Sequence, residues 1–516
     1  MKKIDKVIVT NRAALRRKYG NGARSVDAAI RRLIVADKKR GMTTLRVDLD
    51  VLETGLKNPG IAPATAQRLT KDAIDKACAR YTPDYLMILG AIDVVVMQDL
   101  ANPMNSDDDP DNDDEDPVVP SDLPYACEEA YSTDAANFLG PVRVVGRLPD
   151  MVGATKPDYI VDLLAQASSW KQRPRADYQH YFGLSAFVWR KSTQLSLENL
   201  FNDAKTMKVS PKGGPAWSAS ALAPRIHFIN CHGSDRAPRY YGQRGESYPT
   251  AHFAPKLESK VEEGTVVAAE CCYGAQLYDP AQALDKKDAG IRGIAVTYLA
   301  DGAYGVFGST TIAYGPSEGN GQADLICQYF VRAVRDGASL GRAALEARHR
   351  FASQMSHLDP SDLKTLVQFF LLGDPSIQPV EAPGHALYRS RAYQRVFGSR
   401  GQSPGSRFFR RERAARAGRN LSRTLGAAQP MRARVPLGVR RVLAAIARES
   451  GLEKWTISVY KVMKNSGRTA KEVSERRIYA LTGAVGGRFS QGGTVISIIA
   501  TTEAGEIVHL RRVHSR

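Results

Sequence analysis

The sequence predicts an α/β protein built on a mostly parallel sheet flanked by helices, followed by a small β-rich region near its carboxyl-terminal end. Three observations carry that expectation. Short apolar or β-branched runs alternate with amphipathic helical stretches over the first 90 residues, the order that produces strand–helix–strand units. Further apolar runs of buried-strand length follow at 227–230, 265–269, 293–298 and 305–311. The last 65 or so residues return to apolar–polar alternation, the period of a half-buried antiparallel sheet.

In order, residues 6–10 read as a strand, 13–19 and 28–39 as helices, and Gly41 ends the second helix before a strand at 43–47. Another amphipathic helix at 64–81 leads to a buried strand at 85–89. The pattern then breaks at 101–120, where eight of the ten residues 107–116 are acidic. Self-repulsion and several prolines predict a solvated loop there. Asp109, Asp111 and Asp113 offer clustered oxygen ligands for Ca²⁺, but the Gly and Glu of an EF-hand do not follow in register. After the loop, 142–145 reads as a strand and 157–167 as a helix with proline in its first position. Helical periodicity occupies 324–335 and 340–355, residues 366–372 close the compact part, and Gly373-Asp374-Pro375 is a turn signal.

The chain has 516 residues, 43% hydrophobic and 24% charged, enough for a large core and roughly three or four units. Its net charge of +18 is unevenly placed. Residues 381–450 contain 16 Arg, no Lys and 3 Glu; residues 451–516 add +6, and 1–380 sum to −1. The expected division is therefore 1–135, an N-terminal α/β part; 136–380, a second α/β part; 381–450, an Arg-rich linker with a short helix at 439–448; and 451–516, a small β domain. An arginine tract of this kind is a candidate phosphate contact for nucleic acid, with affinity falling steeply in salt, although aromatic interleaving is thin (Phe408, Phe409). The first residues lack the apolar core of a secretory signal, no stretch reaches the ~20 apolar residues of a membrane span, and the six cysteines form no disulfide framework or CxxC pair. A reducing cytoplasm is the compartment these features suggest.

Two strand ends carry chemistry. One runs from Ile226 to Asn230-Cys231-His232-Gly233-Ser234-Asp235; the other from Val266 to Glu270-Cys271-Cys272-Tyr273-Gly274. In an open parallel sheet the carboxyl ends of neighbouring strands converge on one edge, so a histidine and a cysteine there come within reach. A thiol attacks as thiolate and needs a base at neutral pH, which His232 supplies. The amides of Gly233 and of the attacking cysteine lie where an oxyanion would develop.

These blocks resemble the caspase–legumain–gingipain clan of cysteine peptidases, and the gingipain family within it. Supporting stretches lie at 33–43, 83–90, Gly146-Arg147, Gly308 to Thr311 and Leu371 to Pro375. The resemblance spans about 1–380. It implies a caspase-like fold in two subdomains and cofactor-free peptide hydrolysis through a thioacyl intermediate, with Cys as nucleophile, His232 as acid/base and Gly233 as an oxyanion amide. Clan members commonly place Gly three residues after the nucleophile, which selects Cys271; the caspase spacing selects Cys272. The acidic residue that orients the family's histidine corresponds to Val142, so that either His232 lacks a carboxylate or Asp235 or Glu270 substitutes. The resemblance further implies an acid that receives a basic P1 side chain, matched best by Asp158 and next by Asp150, with Tyr314 as a pocket wall. Cleavage after Arg or Lys would make the arginines of 381–450 self-processing sites, and 451–516 a releasable cap.

Overall fold

The computed structural model describes residues 3–105, 114–381, 404–466, 469–485 and 493–516; Asp109, Asp111 and Asp113 lie outside them. The chain begins β1 (Lys6–Thr10), β2 (Thr44–Asp48) and β3 (Tyr85–Leu89), connected by the helices Ala23–Lys39 and Pro63–Tyr81. A two-stranded ribbon, β4 (Gln98–Ala101) with β5 (Val118–Ser121), brackets the acidic stretch and precedes β6 (Val145–Leu148). The sequence-predicted strand at 142–145 thus starts three residues later. Then come β7 (Tyr181–Ala186), β8 (Lys208–Ser210), β9 (Ile226–Asn230), the hairpin β10 (Arg239–Tyr241) and β11 (Thr250–Phe253), β12 (Val266–Ala269) and β13 (Gly305–Gly308). Residues 293–298, an expected strand, fall in the helix Ile294–Ala300: Gly293 caps it and the Thr297 hydroxyl donates to the Gly293 carbonyl at 2.9 Å. A short apolar run is ambiguous in period, and packing decided it.

Ten strands make one sheet in the order β2-β1-β3-β6-β16-β13-β12-β9-β7-β8, with β16 at Phe370–Leu372. Each half is parallel within itself, and the halves meet antiparallel at β13 and β16. Buried Lys6 ties β1 to the helix Ala23–Lys39 and to the turn after β16, its Nζ 2.7 Å from both Asp37 and Asp374 carboxylates. This gives the Gly373-Asp374-Pro375 turn an electrostatic anchor as well as a change of direction.

A second sheet of seven strands runs β14-β21-β20-β19-β18-β17-β15. Its outer strands β14 (Tyr314–Gly315) and β15 (His357–Leu358) belong to the first 380 residues; β17 (Gly426–Pro430), β18 (Thr456–Ser466), β19 (Thr469–Val485), β20 (Thr494–Glu503) and β21 (Glu506–Ser515) come from the C-terminal region. Ile478, Ala480 and Ile499 pack with the core of the body, while Tyr479, Leu481 and Ile498 form a second cluster under the helix Leu437–Glu449. β19 and β20 are therefore covered on both faces, and the C-terminal strands are joined to the body. Residues 404–424, assigned to a linker by composition, form a helix on which Arg419 meets Glu128 through two 2.8 Å bonds. Among the described residues no helix is long and apolar enough to cross a membrane.

Candidate active site

β9 and β12 are neighbours in parallel register, with Ile229 opposite Ala269. Three residues beyond each lie His232 and Cys272; two residues beyond lie Cys231 and Cys271. Cys271 and Cys272 stand at the turn that follows β12, where the Gly274 amide donates to the Cys271 carbonyl at 3.1 Å, and their side chains enter different surroundings. The Cys271 Sγ faces the Ile229 carbonyl at 3.9 Å and shares its buried surroundings with Cys231. Burial pushes that thiol well above its ordinary value. The Cys272 Sγ instead accepts from the Ala313 amide at 3.2 Å. It is also pushed up, to about 12, by burial against partial compensation from backbone groups of Ala313 and Arg516. Gly274 earns its place by packing: a Cβ there would sit 2.9 Å from the Cys271 carbonyl oxygen.

Gly233 has an equally specific reason. A Cβ at this position would fall 1.6 Å from the carbonyl oxygen of Cys272, so only glycine lets the two motif turns touch. Tyr273, directly after Cys272, has φ of 53°, an uncommon conformation for an aromatic residue. Its amide donates to Thr311 O at 3.0 Å and its hydroxyl to Asp116 at 2.8 Å, which hold the turn.

The His232 Nε2 donates to the Gln243 side-chain oxygen at 2.7 Å. That amide is oriented by its own donation to the Tyr248 hydroxyl at 2.8 Å, so Nε2 carries the proton and Nδ1 is the basic nitrogen. Burial lowers His232 to about 4; the Gln243 bond opposes this and the Arg516 charge adds to it. Neither expected carboxylate partners the ring. Asp235 accepts from Gln276 at 2.7 Å and from Arg236 at 2.9 Å, and Glu270 lies on the far side of the cleft floor beside Asp324.

The cleft itself is filled by Arg516, which is fully buried. Its main-chain oxygen accepts from the amides of Cys272 at 3.3 Å and Gly233 at 3.4 Å, and its amide donates to Ala313 O at 2.9 Å. The Nη2 lies 2.9 Å from both Asp324 carboxylate oxygens and 3.0 Å from Pro316 O. The guanidinium sits over Trp189, 4.8 Å from the ring centroid, and the same indole packs 4.2 Å from the His232 ring. Gly315 opens the pocket, since a Cβ there would meet Arg516 Nη2 at 2.2 Å. Glu270 is raised well above the carboxylate range by burial and then by Asp324. Both its oxygens lack a hydrogen-bond partner, so the neutral acid suits this position beside Asp324.

The other expected residues are placed elsewhere. Asp158 is exposed at the first turn of the helix Asp158–Ser169, a position that suits the helix dipole. Asp150 is buried and engaged by Lys18 at 2.7 Å and by the Ala91 amide. Tyr314 contributes backbone to the cleft edge, while its hydroxyl donates to Asp114 at 2.8 Å. The end of the acidic stretch is no solvated loop: Asp114 is buried and paired with Lys364 at 2.7 Å. Among the described residues no cluster of His, Cys, Asp or Glu is fit to hold a metal ion. Gln243, Trp189 and Asp324 were not singled out by sequence; nothing local marks them.

Part of the chain carries the sequence signature of a cysteine-peptidase family. Residues 232–380 match the sequence profile of peptidase family C25, the gingipain family of cysteine peptidases. A solved structure titled "Structure of Protease" aligns with TM-score 0.45 and 12% identity over 100% of this chain and 98% of its own. No curated protein matches the sequence.

Proposed function

We propose that this protein is a cysteine endopeptidase that cleaves after arginine, with Cys272 as nucleophile and His232 as general acid and base. One observation carries the reading: an arginine lies with its carbonyl oxygen on the Gly233 and Cys272 amides and its guanidinium on Asp324. That is the arrangement required of a P1 residue. His232 Nδ1 takes the Cys272 proton, and the thiolate attacks the P1 carbonyl carbon. The two amides stabilise the oxyanion that forms. The C–N bond then breaks as His232 protonates the leaving amine, giving a thioester, which water hydrolyses to regenerate the thiol. Every group this sequence of steps needs comes from the chain.

A cleft edge made by β14 takes its occupant as an added antiparallel strand. Substrates are therefore extended segments. Arg413, Arg416 and Arg419 lie in the helix Pro404–Thr424, which would have to unwind before serving as sites for self-processing.

The test is turnover of fluorogenic peptides with Arg, Lys or Ala at P1, together with mapping of an arginyl thiol-directed probe. Cys272→Ala is expected to abolish both hydrolysis and labelling, and Cys271→Ala to retain them. Labelling at Cys271, or equal turnover of Arg and Ala peptides, would refute the assignment.

A further inference from the structure

The residue in the cleft is part of this same chain, and its approach is built rather than incidental. From the structure we infer that residues 513–516 are an intramolecular occupant of the substrate cleft, and that the protein is latent until β21 withdraws. The inference rests on the peptidase reading above and names the regulation of that site.

Four observations support it. Ser515 and His514 pair with Tyr314 and Gly315, continuing β14 as a substrate strand would. Arg516 fills the arginine pocket completely, so that Cys272 and Arg516 are both fully buried and His232 is only 5% exposed; a second polypeptide has no room. The occupant is tethered upstream. Val513 is buried in the body's core, and Arg511 reaches the carboxylates of Asp359 and of Asp362, the latter at 2.6 Å. Finally, the dyad is buried while the cleft is filled: burial raises the Cys272 thiol and lowers His232, whose charging the Arg516 guanidinium also opposes. With Arg516 in place the thiol is protonated and the imidazole neutral and hard to charge, so occupancy blocks substrate and leaves the nucleophile unactivated.

A tethered occupant competes as an intramolecular ligand, at high effective concentration. Free substrate then sees only the fraction of molecules whose cleft is open, and its apparent affinity falls by that fraction. Withdrawal requires lifting β21 from β14 and breaking the Arg511 and Arg516 ion pairs. The rest of the seven-stranded sheet can stay intact.

The experiment uses the full chain as wild type, Arg516→Ala and Arg511→Ala, the last altering only the tether. A fluorescein-labelled Val-His-Ser-Arg peptide reports binding, and an arginyl fluorogenic peptide reports turnover. Arg516→Ala is expected to bind the labelled peptide and to turn over substrate at least ~10-fold faster than wild type, since the open fraction approaches one. Arg511→Ala should show a smaller gain in both. Wild type that binds the peptide as well as Arg516→Ala overturns the inference. Peptide binding that appears only on release of the tail, without turnover in any variant, upholds occupancy and refutes the peptidase reading instead. Near-ultraviolet circular dichroism of each variant distinguishes opening from unfolding. A variant that lost its native signal would show that the tail holds the fold rather than gates the cleft, which also overturns the inference.

Discussion

At the level of single residues, the site depends on where neutral and charged partners fall. His232 is oriented by an amide, Gln243; with Val142 at the family's acidic position the sequence left either no carboxylate or Asp235 or Glu270, and Asp235 is engaged by Gln276 and Arg236. An amide fixes the tautomer but does not stabilise the imidazolium as a carboxylate would. Gln243→Glu should therefore raise the His232 pKa and shift the acid limb of the kcat/KM profile to higher pH, by about one unit for each ~1.4 kcal/mol of added attraction. An unmoved limb in this variant would remove Gln243 from the positioning role. The cysteine pair teaches a related lesson. Glycine spacing pointed to Cys271, yet Gly274 answers to a backbone approach, and the cysteine amide that meets the Arg516 main-chain oxygen is that of Cys272. Such a contact joins distant parts of the chain, and no local motif contains it.

Among the secondary-structure elements, β9 carries a polar load that its apolar appearance concealed. Its His227 bonds through Nδ1 to the Tyr298 hydroxyl at 2.8 Å, and His252 of β11 bonds to the same hydroxyl at 2.8 Å. Phe182 of β7 packs against both rings. Burial lowers His227 to about 4 and His252 to about 3. In the unfolded chain both titrate near about 6.5, so the unfolded state binds more protons as pH falls below that value, and stability is lost. Chemical denaturation is expected to show stability flat above pH 7 and falling between about pH 6.5 and pH 4, at up to ~1.4 kcal/mol per pH unit for each histidine. His252→Gln should make that slope shallower. A wild-type slope unchanged by this substitution would show that the two rings are not neutral in the core. The helix at 294–300 belongs to the same cluster. Its Tyr298 closes the histidine pair, which is why this apolar run folds as a helix over the sheet and not as another strand.

For the molecule as a whole, composition suggested a neutral body with a basic appendage, and the seven-stranded sheet unites the two. Its strands β14 and β15 come from the body and hold the C-terminal strands between them. Leu443, fully buried in the second apolar cluster, is far along the chain from the cleft but supports the sheet that delivers Arg516. Leu443→Ala should cost about 2–5 kcal/mol of stability, seen as a lower denaturation midpoint. If β21 gates the cleft, arginyl-peptide turnover should rise in this variant under conditions where the body stays folded. A destabilised sheet with unchanged turnover would separate the C-terminal region from the control of activity.

What the sequence determined by itself was the alternating α/β pattern, the abrupt strand ends at His232-Gly233 and Glu270-Cys271-Cys272, and the location of the charge. These are local properties: hydrophobic period, turn residues and composition are written within a few residues of where they act. The tertiary structure decided which backbone amides and which carboxylate receive an arginine, and that the basic C-terminal region is joined to the cleft. Each of these depends on residues brought together over long separations, as Arg516 meets Asp324, Gly233 and Cys272. Such contacts are fixed by strand register and by the burial of charge with its partner, and both exist only once the sheets have formed.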